Sequence, residues 1–329
     1  MPVHKLSGRW KLGLGLALLT AALWGMLPVA LSIVLQAVDP FTITWFRFLT
    51  AAIGLGVILA LLGRLPQLGA IGGRGWALLL VALAGLLGNF VLYLVALTYA
   101  SPTINQVVTQ LSPILLMLGG IVVFHERFTV RQWLGFVLLL IGLPLFFNER
   151  LPLLVHIGSG LGHGVALLVL ASLVWAIYGL AQKYLLRRMQ AQQVLVLLYA
   201  GSTLALLPFA HPGRIAHVST VQAWLLAFAC ANTVLAYGAF AEALRHWEAS
   251  RVGATLTLTP LFTIATMWVV ERIAPGLVRP EELNVPSLVG AGVVVGGSML
   301  CALGNPALAA RPAAKAELNL GADETSIRS

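Results

Sequence analysis

The sequence predicts an all-α membrane protein with ten transmembrane helices, arranged as two inverted repeats of five helices. The first observation is composition: 59% of the 329 residues are hydrophobic and 9% are charged, and the mean hydropathy is +0.93. So few charged residues cannot cover the surface of a soluble domain. The second observation is a repeated pair of motifs. Ala96-Leu97 and Leu111-Ser112-Pro113 return at a constant displacement as Ala243-Leu244 and Leu258-Thr259-Pro260.

Each half contains apolar runs near the ~20 residues that cross a ~30 Å hydrocarbon core. In the first half the five runs are 12–36, 41–62, 76–97, 103–124 and 130–147. In the second half they are 164–184, 193–210, 221–244, 250–270 and 285–303. Because five is an odd number, the second half is expected to enter the membrane upside down relative to the first, as secondary transporters often do.

These runs divide the chain into five parts. The predicted parts are a cytoplasmic N-terminal segment (1–11), a first repeat (12–147), an outer connection (148–163), a second repeat (164–303) and a disordered cytoplasmic tail (304–329). The apolar run at 12–36 is longer than the core of a signal peptide and lacks a small-residue cleavage site, so we expect it to be retained.

The basic residues predict the orientation. With the N-terminus inside, the outer connections hold only Arg150, Arg214, Arg272 and Arg279, and every other Lys or Arg outside the spans lies on the cytoplasmic side. This bias predicts a multi-pass protein of a bacterial inner membrane with both termini in the cytoplasm. It also explains the net charge of +9 as topology, so no nucleic-acid partner is expected.

Motifs for cofactors and metals are absent from the sequence. It contains no Gly-rich phosphate loop ending in Gly-Lys-Ser/Thr and no clustered Cys or His spacing. Cys230 and Cys301 fall inside apolar runs, where a thiol behaves as a small hydrophobe. We therefore expect no cofactor, no metal and no catalytic centre. The expected partners are a small-molecule substrate and the lipid bilayer.

In order and in both halves, the motifs resemble those of the drug/metabolite transporter superfamily, EamA type. The resemblance covers nearly the whole chain. The first half carries Trp24-Gly25, Arg47-Phe48, Ala51-Ala52, Ala96-Leu97, Leu111-Ser112-Pro113, Glu126-Arg127, Gly135 and Gly142. The second half carries Trp175, Lys183, Ala243-Leu244, Leu258-Thr259-Pro260, Glu271-Arg272, Gly290 and Gly297. It departs from the first in the shorter distance from Pro260 to Glu271 and the longer connection after Arg272.

Polar and aromatic residues at membrane depth are the candidates for binding a substrate, because such groups are costly unless they face a cavity or a partner. Several fall four or three residues apart, on one face of a helix. The candidates are Trp24, Arg47, Asn89, Tyr93, Gln106, Gln110, Trp175 and Tyr178. For the amides the alternative is a structural hydrogen bond to a neighbouring helix. For Arg47 the alternative is snorkelling to the outer headgroups.

Three further residues are candidates for coupling and gating. Pro113 and Pro260 lie at matching places and each removes one backbone hydrogen bond, which predicts a hinge or local unwinding, or else a static kink. Glu242 lies near the cytoplasmic end of its run. It is either a protonatable gate or an ion pair with Arg245 and His246 that anchors the helix end.

One small-residue pair bears on assembly, and the expected state is a monomer or a homodimer. Gly292 and Gly296 are spaced four apart and are expected to admit another helix closely, within the bundle or across a dimer.

The function that these observations favour is a carrier that moves a small metabolite, an amino acid or an amphipathic or aromatic compound, outward by alternating access. The transport is uncoupled or coupled to protons. The alternatives are a flippase for a lipid-linked substrate and, in another class, a membrane-embedded enzyme or sensor. An enzyme would need a reactive constellation at one depth, and the sequence offers neither a carboxylate pair nor a Ser/His/Asp set there.

Overall fold

The architecture is a helical bundle, seen in a computed structural model that describes residues 9–124, 129–155, 159–186, 189–247, 249–278 and 283–303. The regular elements in these ranges are helices. They are α1 (Trp10–Val34), α2 (Pro40–Leu61), α3 (Gly72–Leu97), α4 (Pro102–Val108), α5 (Leu111–Phe124), α6 (Val130–Phe146), α7 (Leu151–Val155), α8 (Gly160–Leu185), α9 (Ala191–Leu206), α10 (Thr220–His246), α11 (Ala249–Leu256), α12 (Thr259–Ile273) and α13 (Val285–Ala302), with short 3₁₀ turns between some of them.

Seven helical segments of the described chain are long and apolar enough to cross a membrane, and three further apolar helices are shorter. The shorter ones are α6, α9 and α13. The segments fall where the apolar runs predict them, within a few residues at most ends. The segments at 102–124 and 249–273 differ, since each is divided into two helices.

Parts of the prediction lie outside the described residues. These are most of the N-terminal segment 1–11, the pair Glu126-Arg127 and the tail 304–329.

Local sequence sets several helix starts. Before α2, the Asp39 carboxylate accepts the Thr42 N–H at 3.0 Å, and Pro40 occupies the first helical position, where no N–H is needed. Ser101 caps α4 in the same way, accepting the Ile104 N–H at 3.3 Å, with Pro102 following it. Each cap stabilises its helix start by about 1 kcal/mol.

Glycines bring α6 and α13 into backbone contact. A Cβ on Gly297 would lie 2.6 Å from the Gly135 carbonyl oxygen, and a Cβ on Gly142 would lie 2.8 Å from the Val294 nitrogen. At one end of this pair, the side-chain amides of Asn148 and Asn284 donate to each other's oxygens at 3.1 and 2.9 Å. The two helices therefore form a close seam.

The predicted contact of Gly292 and Gly296 with another helix of the bundle is wrong, and a contact across a dimer stays a prediction. Gly292 and Gly296 have open space where a Cβ would be, whereas the seam uses Gly290 and Gly297 of the same helix. A helix turns about 100° per residue. Gly290 is two residues before Gly292, and Gly297 is one residue after Gly296, so the glycines of the seam lie on another face of α13. Spacing alone does not reveal which face meets a neighbour.

The longer helices pair in a reciprocal pattern. α3 packs along α8, and α10 packs along α1. α5 also contacts α8, while α12 contacts α1. Other close pairs are α2 with α9, α2 with α10, and α6 with α13. In these most extensive contacts, the pairing of helices in the first half has a counterpart in the second half.

Candidate functional site

Arg47 is a buried cation at membrane depth and the centre of the candidate site. It lies seven residues into α2, about 10 Å along the helix from Pro40. Its side chain is 4% exposed. The guanidinium therefore lies inside the bundle, rather than along the outer surface of α2.

Two contacts fix the guanidinium. Nε donates to the Thr233 hydroxyl on α10 at 3.2 Å. Cζ lies 4.7 Å from the centre of the Phe90 ring on α3, a cation–π contact. Among the described residues, the terminal nitrogens Nη1 and Nη2 have no hydrogen-bond partner, and no carboxylate pairs with Arg47.

Several aromatic side chains lie near this cation. Tyr93, Tyr199 and Tyr237 lie close enough to interact with it electrostatically, as does the Cys230 thiol. These residues come from α3, α9 and α10, so the site is assembled from both halves of the chain.

The aromatic wall continues through ring contacts. Trp24 meets the Tyr237 ring edge-on with centres 5.3 Å apart, and the Phe240 ring at 6.0 Å. Phe48 lies 4.6 Å from the Phe90 ring and 5.8 Å from the Tyr199 ring. Trp24, Tyr93 and Arg47 are thus brought together by residues that the sequence analysis did not select.

A signal for the missed residues is present in the sequence. Thr233 and Tyr237 are four apart on α10 and so share a face, as Asn89 and Tyr93 do on α3. The same rule applied to the second half would have found them.

The predicted amides bond to neighbouring helices. Asn89 Nδ2 donates to the Ala171 carbonyl on α8 at 3.0 Å. Gln110 Oε1 accepts from the Ser298 hydroxyl on α13 at 2.9 Å. Gln106 Nε2 donates to the Trp24 carbonyl on α1 at 2.9 Å. Structural hydrogen bonds of this kind are the alternative to substrate binding that was stated for the amides. The side chains of the two glutamines bond to different helices.

Trp175 and Tyr178 lie beside each other on α8. Their ring centres are 6.5 Å apart in an edge-on arrangement. Tyr178 also lies near Tyr237, which is itself near Arg47.

Three carbonyls on α1 accept side-chain hydrogen bonds just before Pro28. Leu23 accepts from Asn232 Nδ2 at 2.7 Å, and Gly25 accepts from the Thr263 hydroxyl at 2.8 Å. Trp24, between them, takes the Gln106 bond described above. The donors lie on α10, α12 and α4, so α1 is the common partner of three helices.

The two prolines at matching places each follow a break in a helix. Pro113 lies in the first turn of α5, after Thr109 and Gln110, and Pro260 lies in the first turn of α12, after Thr257 and Leu258. A proline leaves the carbonyl four residues earlier without its helical donor. That carbonyl accepts from Ser112 N at 2.9 Å in the first break and from Thr259 Oγ1 at 2.5 Å in the second.

Glu242 lies near the end of α10 beside a histidine. Its carboxylate is 3.0 Å from His246 Nε2, with the Glu242 side chain 41% exposed and that of His246 10% exposed. The Arg245 side chain lies outside the described residues. The carboxylate is thus partly solvated and paired.

A cavity of about 530 Å³ opens at the end of the bundle where α1 and α3 end and α4 begins. Its polar lining includes Ser32, Gln36, Tyr99, Ser101 and Arg150. Cavities of this size hold small metabolites. In the ranges that the structure covers, no group of three or more His, Cys, Asp or Glu side chains could hold a metal ion.

Comparisons with known proteins agree with this architecture. A model of the EamA-like transporter family matches residues 11–148 and 162–303. The chain is 44% identical over 295 residues to the uncharacterized inner membrane transporter YhbE of Escherichia coli K12, covering 89% of this chain and 92% of that protein. It is 37% identical over 297 residues to an uncharacterized transporter of Haemophilus influenzae, covering 90% and 96%.

Two more distant likenesses were found. A probable amino-acid metabolite efflux pump of Salmonella typhimurium is 24% identical over 295 residues, covering 86% of this chain and 92% of that protein. One crystal structure superposes with a TM-score of 0.57 at 20% identity, over 88% of this chain and 96% of the other. At that identity the likeness shows a shared fold alone.

Proposed function

The chain belongs to the EamA-like transporter family, and from this premise we propose that it is a secondary transporter that exports a small metabolite across a bacterial inner membrane. The proposed substrate is an amino acid or an amphipathic or aromatic compound. The transmembrane helices and the relatives named as transporters support membrane transport rather than catalysis. The name of the Salmonella relative supports an amino-acid metabolite and an outward direction.

The proposed architecture is ten spans in two inverted repeats. Seven long and three shorter apolar segments supply ten. The family model matches each half separately, and the most extensive helix contacts are reciprocal between the halves. A unit of five spans that is repeated in tandem must be inverted in the membrane.

The observation that carries the transport mechanism is the pair of breaks, between α4 and α5 and between α11 and α12. Discontinuous helices at matching places in two repeats are typical of secondary transporters, where they flank the substrate site and allow gating. We assign Pro113 and Pro260 to these gates. α1 contacts both broken segments, through Gln106 and Thr263, so movement at either break would reach it.

The proposed orientation assigns the cavity and Glu242 to opposite sides of the membrane. With both termini in the cytoplasm, the cavity beside Ser32 and Tyr99 opens to the periplasm, and Glu242 lies at the cytoplasmic end. Proton coupling through Glu242 is then the proposed driving force, because a carboxyl at a gate can exchange its proton as the pathway opens. Tags at both termini should report the cytoplasm and a tag after Arg214 the periplasm. Termini on opposite sides would contradict the ten-span arrangement.

Uptake by proteoliposomes tests the function. The purified protein is reconstituted, and a panel of labelled amino acids and aromatic or amphipathic metabolites is supplied with and without an imposed pH gradient. We expect saturable uptake of at least one compound above the rate of protein-free vesicles, and a response to the gradient. Uptake equal to that of empty vesicles across the panel, by protein that remains folded, would count against the proposal.

A further inference from the structure

We infer that Arg47 is the binding group for the carboxylate of the transported molecule, and that the site takes small singly charged organic anions with an apolar or aromatic remainder. This inference rests on the proposed function and adds the substrate class to it. It follows from the hydrogen bonds and the charge of Arg47 and from the aromatic side chains near it.

The hydrogen bonds of Arg47 leave one edge of the guanidinium available. Thr233 occupies Nε, and the Phe90 ring covers one face. The edge formed by Nη1 and Nη2 has no hydrogen-bond partner in the part of the chain that the structure describes. Two parallel N–H groups on one edge match the two oxygens of a carboxylate.

Amide side chains elsewhere in the bundle find acceptors on neighbouring helices, although they carry no charge. The side chains of Asn89, Gln106 and Asn232 each donate to a carbonyl of a neighbouring helix. Arg47 is a buried cation, yet it makes a single hydrogen bond and no ion pair with any described residue. An uncompensated buried charge costs several kcal/mol, and an anionic ligand would remove that cost.

The charge limits the anion to a single negative charge. The other basic residues lie at helix ends or in connections, so Arg47 is the one basic residue in the interior of an apolar run. One guanidinium neutralises a monoanion such as a carboxylate, whereas a phosphate monoester dianion would keep an uncompensated charge at membrane depth.

The aromatic side chains near Arg47 indicate the chemistry of the part of the ligand that is not the carboxylate. Tyr93, Tyr199 and Tyr237 lie near the cation, and Trp24 extends this wall from Tyr237 towards Phe240. Aromatic rings of this kind suit an apolar or aromatic group, while the tyrosine hydroxyls can donate to the anion.

Equilibrium binding to the purified, detergent-solubilised protein tests the assignment. The probes are 3-phenylpropionate, its uncharged amide and phenyl phosphate, measured by calorimetry. The variants are Arg47→Lys, which keeps the charge but loses the planar fork, and Arg47→Gln, which loses both. Arg64→Gln is the matched control, because Arg64 is exposed in the connection after α2.

We expect the parent protein to bind the acid at least about tenfold more tightly than the amide or phenyl phosphate. Arg47→Lys should weaken acid binding by about tenfold, and Arg47→Gln should bind acid and amide alike, while Arg64→Gln matches the parent. Equal binding of acid and amide by the parent would overturn the inference without any variant, as would an unchanged acid preference in folded Arg47→Gln.

The two proposals fail in different ways. Acid-selective binding with no uptake of any solute by proteoliposomes would leave the Arg47 assignment intact and overturn transport. Uptake of uncharged solutes together with equal binding of acid and amide would leave transport intact and overturn the Arg47 assignment.

Discussion

Gln106 donates from Nε2 to the carbonyl oxygen of Trp24 at 2.9 Å, and Pro28 is the reason that this oxygen is available. Residue 28 would normally donate its N–H to the carbonyl of residue 24, but a proline has no N–H. A side chain of α4 therefore completes the hydrogen bonding of α1. A polar residue at membrane depth can thus be the partner of a kink in another helix.

Loss of the hydrogen bond between Gln106 and the Trp24 carbonyl should lower the free energy of unfolding by an amount that depends on Pro28. Gln106→Leu should lower the free energy of unfolding by about 0.6 to 2 kcal/mol, because it leaves the Trp24 carbonyl without a donor. In a Pro28→Ala background the alanine supplies a backbone N–H that can act as that donor, so the same change should cost less. Reversible unfolding in mixed micelles measures the cycle. Equal costs in the two backgrounds would show that Gln106 and Pro28 act independently.

Alanine at two neighbouring glycines of α13 should have different effects. Gly290→Ala would bring a Cβ into the backbone of Leu145 and Phe146, and we expect a loss of about 1 to 3 kcal/mol. Gly292→Ala is the matched control, because its Cβ would enter open space, and its effect should stay within about 0.5 kcal/mol. Thermal unfolding of the detergent-solubilised variants compares them. Similar losses in both would contradict the placement of the α6–α13 seam.

Thr233 is expected to act by positioning Arg47. Thr233→Val removes the acceptor for Nε at nearly constant volume, so the guanidinium loses one of its two fixed contacts. We expect KM for carboxylate substrates to rise several-fold with kcat nearly unchanged, and Thr233→Ser to restore it. Initial uptake rates at equal protein content give both constants. A defect that Ser does not correct would indicate a packing role instead.

Pro260 is expected to affect movement more than binding. Pro260→Ala supplies an N–H that can bond to the Leu256 carbonyl, which now accepts from Thr259, and so allows α11 and α12 to join. Transport should slow several-fold while equilibrium binding of substrate is retained. Pro66→Ala, in the connection after α2, is the control and should transport normally. Parent-like rates in Pro260→Ala would mean that the break is static.

Glu242 is expected to be needed for the response to a pH gradient. Glu242→Gln should still exchange internal for external substrate, but an imposed gradient should no longer drive accumulation, because the amide cannot carry a proton. Glu271→Gln, an exposed carboxylate at the end of α12, is the control. Parent-like accumulation by Glu242→Gln would leave this residue as a helix-end anchor paired with His246.

The helical segments could be predicted from the sequence because each depends on local composition. Apolar runs give their positions, and Pro113 and Pro260 mark where two of them divide. The depth of Arg47 along its helix could be predicted as well, because it follows from counting residues along one helix.

The partners of the polar residues could not be predicted in this way. Gln106 and Gln110 share a helical face by spacing, yet α4 ends at Val108, between them, and their side chains reach α1 and α13. The direction of a side chain across helices depends on tertiary packing. The surroundings of Arg47 come from α3, α9 and α10, and no local pattern places those helices side by side.

The seam between α6 and α13 has a mechanical consequence. At Gly135, Gly142, Gly290 and Gly297 the backbones of α6 and α13 lie in close contact, and the side chains of Val294 and Cys301 fill the space beside these glycines. Such tight packing leaves little room for the helices to slide past each other. The Asn148–Asn284 amide pair further fixes one end of it. α6 and α13 should therefore move together as one rigid pair, and the other helices should move relative to it. A covalent cross-link between α6 and α13 should then leave transport intact. A cross-link between two helices that move relative to each other should stop transport.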